Sequence, residues 1–493
     1  MNKPLNLRRV AAAAVAAVSL CASIAAYAAA TIVIVNGDPA GVGFNDATPA
    51  APVGGNTGTT VGLQRLNVYQ AVAANWGAQL TSTQTIKVYA TWEALTCTAT
   101  SAVLGSAGAW DVIRDFPGAP FTDTWYSVAL ANKLSGVDQT PGDPAATDIR
   151  DVLGVDIVAR FNVNLGSATC LTGAPFYLGL DNNHGALIDF YTVLLHELGH
   201  GLGFQAFTSG QTGARLSDGA PHPAMWERFM LDTTTGKTWF NMTDAERAAS
   251  GLNSRRLVWT GANVTANAAT VLSAGTPALR IASIPVPSAT GSYTVGTASF
   301  GAALGAPGVS AQLMPIVAQA GGTGPGCDPF NAINTAAARN NIVLIDRGVC
   351  GFAVKAKNAQ NAGAKGVVIA NNAAGSPPPG LGGTDPTVTI PTASVTQADG
   401  VVLKAALAFR SRTLSGVTAT LGVDLTQLAG ADPLGRVLLY TPNPFQGGSS
   451  VSHWDTIAFP NLLMEPAING DLTHNVTAPS DLTLKLFLDL GWN

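Results

Sequence analysis

One short run, His196 to His200 with the sequence HELGH, restricts this chain more than any other feature. A largely apolar stretch, residues 190–195, precedes it and predicts a buried helix. Residues four apart lie on one face of a helix, so His196 and His200 can reach the same ion. Glu197 can then hold a water on that ion and take its proton. The run therefore predicts a metal site on a helix, with Zn²⁺ as the metal.

The predicted site is incomplete within the run, because catalytic zinc sites use three protein ligands and one water. In a common arrangement, a glycine follows the second histidine and a third histidine comes three residues after that glycine. Gly203 is in place here, but Ala206 occupies the ligand position. The third ligand must therefore come from elsewhere in the chain, or the site is inactive.

Residues further along the chain are candidates for the third ligand: His184, His222, Glu227, His453 and His474. Glu227 lies 27 residues after His200, a separation that suits zinc peptidases whose third ligand is a glutamate on a later helix. His453 lies in the run SSVSHWDTIAFPNLLMEPAING, eleven residues before Met464.

The composition is that of a folded protein, with 47% apolar and 11% charged residues among 493. The formal net charge of −4 comes without a basic run, which argues against a nucleic-acid partner. Basic residues, an apolar stretch and the small-x-small run Ala26-Tyr27-Ala28 predict a signal peptide over residues 1–28. We therefore expect a secreted or periplasmic protein with no membrane span after cleavage near Ala28.

The exported chain would retain four cysteines, Cys97, Cys170, Cys327 and Cys350. Four cysteines allow three pairings, and an oxidising compartment favours disulfides over free thiols. The simplest arrangement pairs sequence neighbours, Cys97 with Cys170 and Cys327 with Cys350.

Helices alternate with strands ahead of the HELGH run. Apolar patterns predict strands near residues 31–35, 86–92 and 157–163, and helices over 61–80 and 124–134. This alternation indicates an α+β arrangement, with a sheet packed on helices.

His200 and His453 are 253 positions apart, which is too far for a simple loop and predicts a domain between them. Strand-like residues 341–346, an alanine-rich helix over 351–363 and strand-like residues 365–371 form a β-α-β unit, which implies a parallel strand pair. We expect a signal peptide over residues 1–28 and an inserted domain over residues 276–420. The interrupted domain would consist of residues 29–275 and 421–493.

The run IVLIDRGVCGFAVKAKNAQNAGAKGVVIANN closely resembles the protease-associated (PA) domain, over about residues 280–415. The resemblance implies an α/β domain without catalytic residues, with a role in substrate access or protein contacts. A spacer that holds the two flanking halves in register is the alternative. Cys327 matches the usual disulfide partner of Cys350 in such domains.

The flanking segments, about residues 185–207 and 449–492, resemble leishmanolysin, a metzincin zinc peptidase whose third histidine follows a long insertion. The resemblance rests on HELGH without a nearby third ligand, the distant S-H-W, and the L-M-x-P that follows it. It implies that His453 is the third zinc ligand and that Met464 lies in the Met-turn beneath the zinc. It also implies a metzincin-like domain with a twisted sheet, an active-site helix and a C-terminal helix.

The sequence thus predicts a secreted zinc endopeptidase, monomeric and acting on proteins or peptides. One Zn²⁺ would be held by His196, His200 and His453, with Glu197 as the general base. Residues 176–182 are the predicted edge strand for an extended substrate. Whether Ca²⁺ binds the Asp- and Asn-rich loops is left open.

Two other interpretations remain at this stage. One is a secreted protein-binding module whose zinc site is structural or degenerate. A structural site would require a fourth protein ligand and would have no use for Glu197. The other is a zinc peptidase that uses Glu227 as its third ligand, in which case His453 and Met464 would lie away from the metal.

Overall fold

In the computed structural model, residues 29–317 and 324–492 are described. The predicted signal peptide, residues 1–28, lies outside them. The chain forms an outer domain, made of residues 29–273 and 429–492, and an inserted domain, residues 274–428, that interrupts it. The mixed α/β character predicted from the sequence is confirmed.

The first part of the outer domain is a sheet with helices packed against it. Its elements are β1 (Ile32–Asn36), α1 (Val61–Gln79), β2 (Ile86–Glu93), β3 (Cys97–Thr98), β4 (Ser101–Ala102), β5 (Gly105–Ala109), β6 (Val112–Ile113), β7 (Tyr126–Ser127), α2 (Val128–Ser135), α3 (Ile149–Leu153), β8 (Ile157–Asn162), β9 (Phe176–Tyr177), β10 (Ile188–Asp189) and α4 (Phe190–Leu202). The main sheet has the order β1-β2-β8-β5. Its first three strands are parallel, and β5 is an antiparallel edge strand.

Periodicity explains how this sheet and its helices pack. Every second residue of β2 is buried, as expected for a strand with one face on the core. Helix α1 begins at Thr60, whose hydroxyl accepts a hydrogen bond from Leu63 N. Trp76 of α1 is fully buried, and its indole N–H donates to the carbonyl of Leu195 in α4 at 3.2 Å. The HELGH helix is thereby fixed against α1.

A smaller layer follows α4. It contains β11 (Met230–Asp232), β12 (Lys237–Thr238), α5 (Asp244–Ser250), β13 (Leu257–Trp259) and α6 (Ala262–Val271). The three strands form an antiparallel sheet with β11 in the centre. This layer supports the region beyond the C-terminal end of α4.

The inserted domain is built on one eight-stranded sheet. Its elements are β14 (Ala274–Ser283), β15 (Gly291–Thr294), β16 (Gly296–Thr297), β17 (Val309–Pro315), α7 (Ala332–Ala338), β18 (Ile342–Asp346), α8 (Phe352–Asn361), β19 (Gly366–Ala370), β20 (Thr392–Val395), α9 (Gln397–Ala406) and β21 (Val417–Leu428). Strands β17, β18, β19 and β20 run parallel. The β-α-β unit predicted from the sequence is confirmed as β18-α8-β19.

The insertion begins and ends at neighbouring points. Strand β14 pairs antiparallel with β21, and Ala274 lies opposite Leu428. The chain then re-enters the outer domain, where it pairs with β13 through a bridge between Val258 and Leu438. It ends in α10 (Thr483–Leu490), whose Leu486 and Phe487 join the same core as α1 and α4. The outer domain therefore has one core built from both parts of the chain.

Two disulfides link described cysteines, Cys97 to Cys170 and Cys327 to Cys350. Both predicted pairings are confirmed. Within the described residues, the helices are too short or too polar to span a bilayer.

Candidate active site

Helix α4 carries the HELGH run, and both of its ends are fixed by local chemistry. At the start, the Asp189 carboxylate accepts a hydrogen bond from Thr192 N at 3.0 Å and caps the helix. At the end, Gly203 adopts a φ of +125°, a conformation that is unfavourable for residues other than glycine. This turn directs the chain back toward His200, so that Phe204 lies within reach of the histidine ring.

The structure brings His196, His200 and His453 together. Each ring places its Nδ1 within hydrogen-bond distance of a backbone carbonyl oxygen. These oxygens belong to Leu463, Phe204 and Ser449, at 2.7, 2.7 and 2.8 Å respectively. A carbonyl oxygen only accepts, so each Nδ1 carries the proton and each Nε2 keeps its lone pair.

The three Nε2 atoms form a nearly equilateral triangle with sides of 3.1, 3.2 and 3.3 Å. Tetrahedral Zn–N bonds of about 2.0–2.1 Å would place neighbouring nitrogens about 3.3 Å apart. The rings are 4 to 9% exposed, and burial lowers the pKa of His196 to about 3 and of His200 to about 4. Three neutral imidazoles with converging lone pairs suit a bound cation, so this set can hold a metal ion.

His453 reaches the site because its segment lies beside the end of α4. The backbone N–H of Ala206 donates to the Ser452 hydroxyl at 3.1 Å. Ala206 is the position where a nearby third histidine would stand in the commoner arrangement. This bond holds the distant segment beside Ala206, and His453 follows Ser452 directly.

Met464 packs beneath the same helix. Its side chain is fully buried, and its sulfur lies 2.9 Å from where a Cβ on Gly199 would be. Its carbonyl accepts a hydrogen bond from Trp454 N at 2.9 Å, next to His453. The preceding residue, Leu463, provides the carbonyl that orients His196. This turn therefore supports two of the three histidines.

Glu197 faces the cleft from the neighbouring side of α4. One of its carboxylate oxygens accepts a hydrogen bond from Ala107 N of β5 at 2.8 Å. Burial raises the pKa of Glu197 to about 7. A carboxyl group with a pKa near neutrality can both accept and return a proton, as general acid–base catalysis requires.

Strand β5 forms one wall of the cleft. Its neighbours Leu104 and Trp110 bond to the β8 side through their backbones, at 2.9 and 2.8 Å. Ala107 lies in the opposite phase, so its N–H points away from β8 toward Glu197. The cleft side of β5 is therefore an edge that a further strand could join.

Residues 176–182, the predicted substrate edge, are not among the residues that line the cleft. Phe176 and Tyr177 pair with β10, and Leu180 N donates to the Gly54 carbonyl at 2.7 Å, so this backbone is already engaged. The free edge belongs instead to β5, with the sequence GSAGA. Small residues without apolar alternation gave no strand signal there.

The cleft has a volume of about 1550 Å³. Besides β5 and α4, its walls come mostly from parts of four segments of the outer domain: residues 184–189, 205–216, 445–453 and 466–472. All three histidines and Glu197 line it.

Glu227 lies away from the histidine cluster. It is 1% exposed, and Arg215 donates two hydrogen bonds to one of its oxygens, at 2.9 and 2.7 Å. The other oxygen accepts from the Thr208 hydroxyl and from Ala224 N. Its carboxylate is therefore occupied by a buried ion pair and local hydrogen bonds.

The remaining histidine candidates also have other partners. His184 bonds to the Leu187 carbonyl, and His222 lies between two aspartates. His474 stacks on Tyr191 with 3.7 Å between ring centroids and contacts Asp189 at 2.8 Å. It thus supports the carboxylate that caps α4, a role that no local sequence pattern indicated.

The family described as the PA domain matches residues 309–403. The chain contains a PA domain. The match runs from β17 into α9, so the inserted domain is larger than the matched PA region and includes β14 to β16 and β21 as well.

Curated relatives share only short stretches with this chain. They include vacuolar-sorting receptor 5 of Arabidopsis thaliana (42% identical over 69 residues, 14% of this chain and 11% of the relative), a probable lipoprotein aminopeptidase LpqL of Mycobacterium tuberculosis (37% over 92 residues, 18% of each) and leucine aminopeptidase 2 of Arthroderma otae (47% over 62 residues, 13% and 12%). The chain thus spans less than a fifth of each relative. Each of these matches is no longer than the 95 residues of the PA match.

Solved structures show a similarly partial likeness. A zinc aminopeptidase from Bacillus subtilis, BSAP, is 25% identical over 33% of this chain and 35% of its own, with a TM-score of 0.22. An aminopeptidase from Aneurinibacillus sp. strain AM-1 is 26% identical over 31% of each chain, with a TM-score of 0.23.

Proposed function

We propose that this protein is a secreted zinc peptidase that cleaves within peptide chains, with a metzincin-like site of the leishmanolysin type. The observation that carries the proposal is the triangle of Nε2 atoms, 3.1 to 3.3 Å on a side, with Glu197 beside it on the same helix. The turn at Gly203 and the buried Met464 beneath α4 support the metzincin comparison.

His196, His200 and His453 would hold the zinc through Nε2, since their Nδ1 atoms are bonded to backbone carbonyls. Bound zinc would polarise the scissile carbonyl and lower the pKa of a coordinated water to about 7. Glu197 would take the proton from that water and return it to the leaving amine. Its raised pKa, about 7, suits both transfers.

The substrate would lie extended along β5. The outward backbone groups of this strand can pair with a peptide as an added strand, which gives affinity without dependence on sequence. Ala107 N is bonded to Glu197 here, and a substrate carbonyl could replace that carboxylate as its acceptor. The replacement would free Glu197 to act on water.

Internal cleavage is favoured by the charges in the cleft. An enzyme that removes N-terminal residues needs an acceptor for the free α-ammonium group. Among the described residues that line the cleft, the carboxylates are Glu197 and Asp189. Asp189 is 3% exposed; Thr192 and His474 engage its Oδ2, and its Oδ1 is buried. No accessible carboxylate in this part of the chain is therefore left for an α-ammonium group.

An aminopeptidase is the second candidate, because two of the curated relatives carry that name. The two candidates differ in their need for a free N-terminus. We expect an N-acetylated octapeptide with a quenched fluorophore to be cleaved internally, at a rate similar to that of the unblocked peptide. Products identified by mass spectrometry would show the site. Cleavage confined to the unblocked peptide, one residue at a time, would favour the aminopeptidase.

A binding module with a structural zinc site has less support. A structural site would use four protein ligands, and the cluster among the described residues contains three. Secretion is supported by the two disulfides, which persist mainly in oxidising compartments.

A further inference from the structure

A second cavity, of about 800 Å³, lies between the inserted domain and the outer domain. The inserted domain contributes residues 295–297 and 376–380, and the outer domain contributes parts of 440–446 and 456–461. Pockets that bind small ligands have volumes of about 300–1,000 Å³ and walls that are mostly apolar. The walls here include six prolines, Pro277, Pro377, Pro378, Pro379, Pro442 and Pro444.

Arg255 is the one cationic side chain that lines this cavity among the described residues. A guanidinium carries five N–H donors, and the buried Nε–H of Arg255 has no hydrogen-bond partner within the described part of the chain. Its charged partner is Asp455, with Nε 3.7 Å from the carboxylate, which is too far for a hydrogen bond. Only 15% of the side chain is exposed.

The backbone of Arg255 is also unusual. Its φ is +59°, in the left-handed region that residues other than glycine seldom adopt. Such conformations cost free energy and occur preferentially at binding and catalytic sites. Here the conformation occurs at the residue whose Nε–H lacks a hydrogen-bond partner and whose side chain lines the cavity.

We propose that this cavity between the two domains binds a monocarboxylate with an apolar body. The planar guanidinium of Arg255 matches a carboxylate, which can accept two parallel hydrogen bonds from it. Asp455 already contributes one negative charge nearby, so a singly charged ligand suits the cavity better than a phosphate dianion. The proline-lined walls would bury the apolar body of the ligand.

One segment of the outer domain separates this cavity from the catalytic cleft. Phe445 lines the cleft, whereas its neighbours Pro444 and Gln446 line the cavity. The Gln446 carbonyl accepts a hydrogen bond from Ser449 N, and the Ser449 carbonyl orients His453. A ligand in the cavity would therefore contact the segment that leads to the third histidine.

The binding test uses the full-length protein and isothermal titration calorimetry. The probes are N-acetyl-L-leucine, which represents a peptide C-terminus, and hexanoate, a simple organic acid. Each is paired with its uncharged amide. We expect the acids to bind and the amides to bind at least about tenfold more weakly, because charge-assisted hydrogen bonds would be lost. The stronger of the two acids identifies the source of the carboxylate.

Two variants locate the binding. Arg255→Gln removes the charge, and Thr297→Trp fills the cavity from the inserted domain while leaving Arg255 in place. Both should weaken acid binding at least about tenfold. Arg436→Gln is the matched control, since Arg436 pairs with Asp432 away from the cavity lining. If Arg255→Gln misfolds, Thr297→Trp still decides the question.

Acid binding that is equally strong in wild type and Thr297→Trp would overturn the proposal, because the ligand would then sit elsewhere, as on the metal. Failure of both acids to bind the wild-type protein would overturn it too. Neither result depends on peptidase activity, so the proposed function is tested separately.

Discussion

The middle of the inserted domain is assembled from residues close together in the sequence, whereas the three-histidine centre is assembled from residues far apart. The β18-α8-β19 unit of the insertion is continuous, and its strands pair across fewer than thirty residues. The three-histidine centre brings together His200 and His453, which are 253 positions apart in the sequence. The first can form from local contacts, whereas the second requires the whole outer domain to close.

The difference shows how a long insertion can leave the three-histidine centre intact. Ala274 and Leu428 are paired, so the chain leaves and re-enters the outer domain at almost the same point. The two parts then share one core, in which Trp76 and Phe487 pack with 5.3 Å between ring centroids. Sequence distance across the insertion is therefore not spatial distance.

The largest effect is expected when the proposed general base is removed and the three histidines are kept. Glu197→Gln should lower the rate of peptide cleavage by about 10²–10⁴-fold, because the general base is lost. Zinc content, measured by atomic absorption, should be unchanged. Glu246→Gln is the control, since Glu246 pairs with Lys237 at the surface. Full activity in Glu197→Gln would refute the proposed mechanism.

Removal of the distant ligand tests whether the centre depends on both parts of the chain. His453→Ala should weaken zinc binding more than about a hundredfold. Loss of a residue that only hydrogen-bonds to a metal ligand lowers metal affinity by about 10–100-fold, and loss of the ligand itself should cost more. Competition with a fluorescent zinc chelator measures this. Glu227→Gln should instead retain zinc and lower stability in urea, because it disturbs a buried ion pair with Arg215. The reverse pattern would make Glu227 the ligand.

A smaller effect is expected beneath the centre. Met464→Leu keeps the volume of a fully buried side chain next to Gly199, so the free energy of unfolding should fall by less than about 1.5 kcal/mol. Urea denaturation followed by tryptophan fluorescence measures the change. A loss of zinc in this variant would mean that the thioether does more than fill space.

The smallest effect on the metal is expected from removing the insertion itself. Residues 275–427 replaced by two glycines should still bind one zinc, because the residues at the cut are already paired. Metal stoichiometry of the shortened protein tests this directly. Loss of zinc binding would show that the inserted domain holds the two halves in register and does not merely leave them undisturbed.

Several local features followed from residue patterns alone. The apolar spacing around HELGH predicted α4, and the alternation of residues 86–92 predicted β2, because these periods are properties of single elements. Of the three pairings that four cysteines allow, the structure contains the simplest, Cys97–Cys170 and Cys327–Cys350. The expected end of the insertion at 420 fell eight residues short of the end of β21 at 428. Strand β21 continues to Leu428 because this residue pairs with Ala274, the first residue of β14.

Other features had no local pattern to indicate them. Strand β5 consists of small residues and exists as a strand because β8 pairs with it. The role of His474 depends on Asp189, which lies 285 residues earlier. No sequence pattern indicated Arg255, because the lack of a hydrogen-bond partner for its Nε–H depends on residues that surround it only in the folded chain.

The sequence by itself determined the ligand types, the helix that carries two of them and the unit at the centre of the insertion. Residue chemistry and periodicity act over a few positions, and these features need nothing more. Only the tertiary structure decided that His453 meets His196 and His200 at 3.2–3.3 Å, that Glu227 is held by Arg215, and that β5 is the free edge. These depend on contacts between residues far apart in the chain, which form only when the shared core closes.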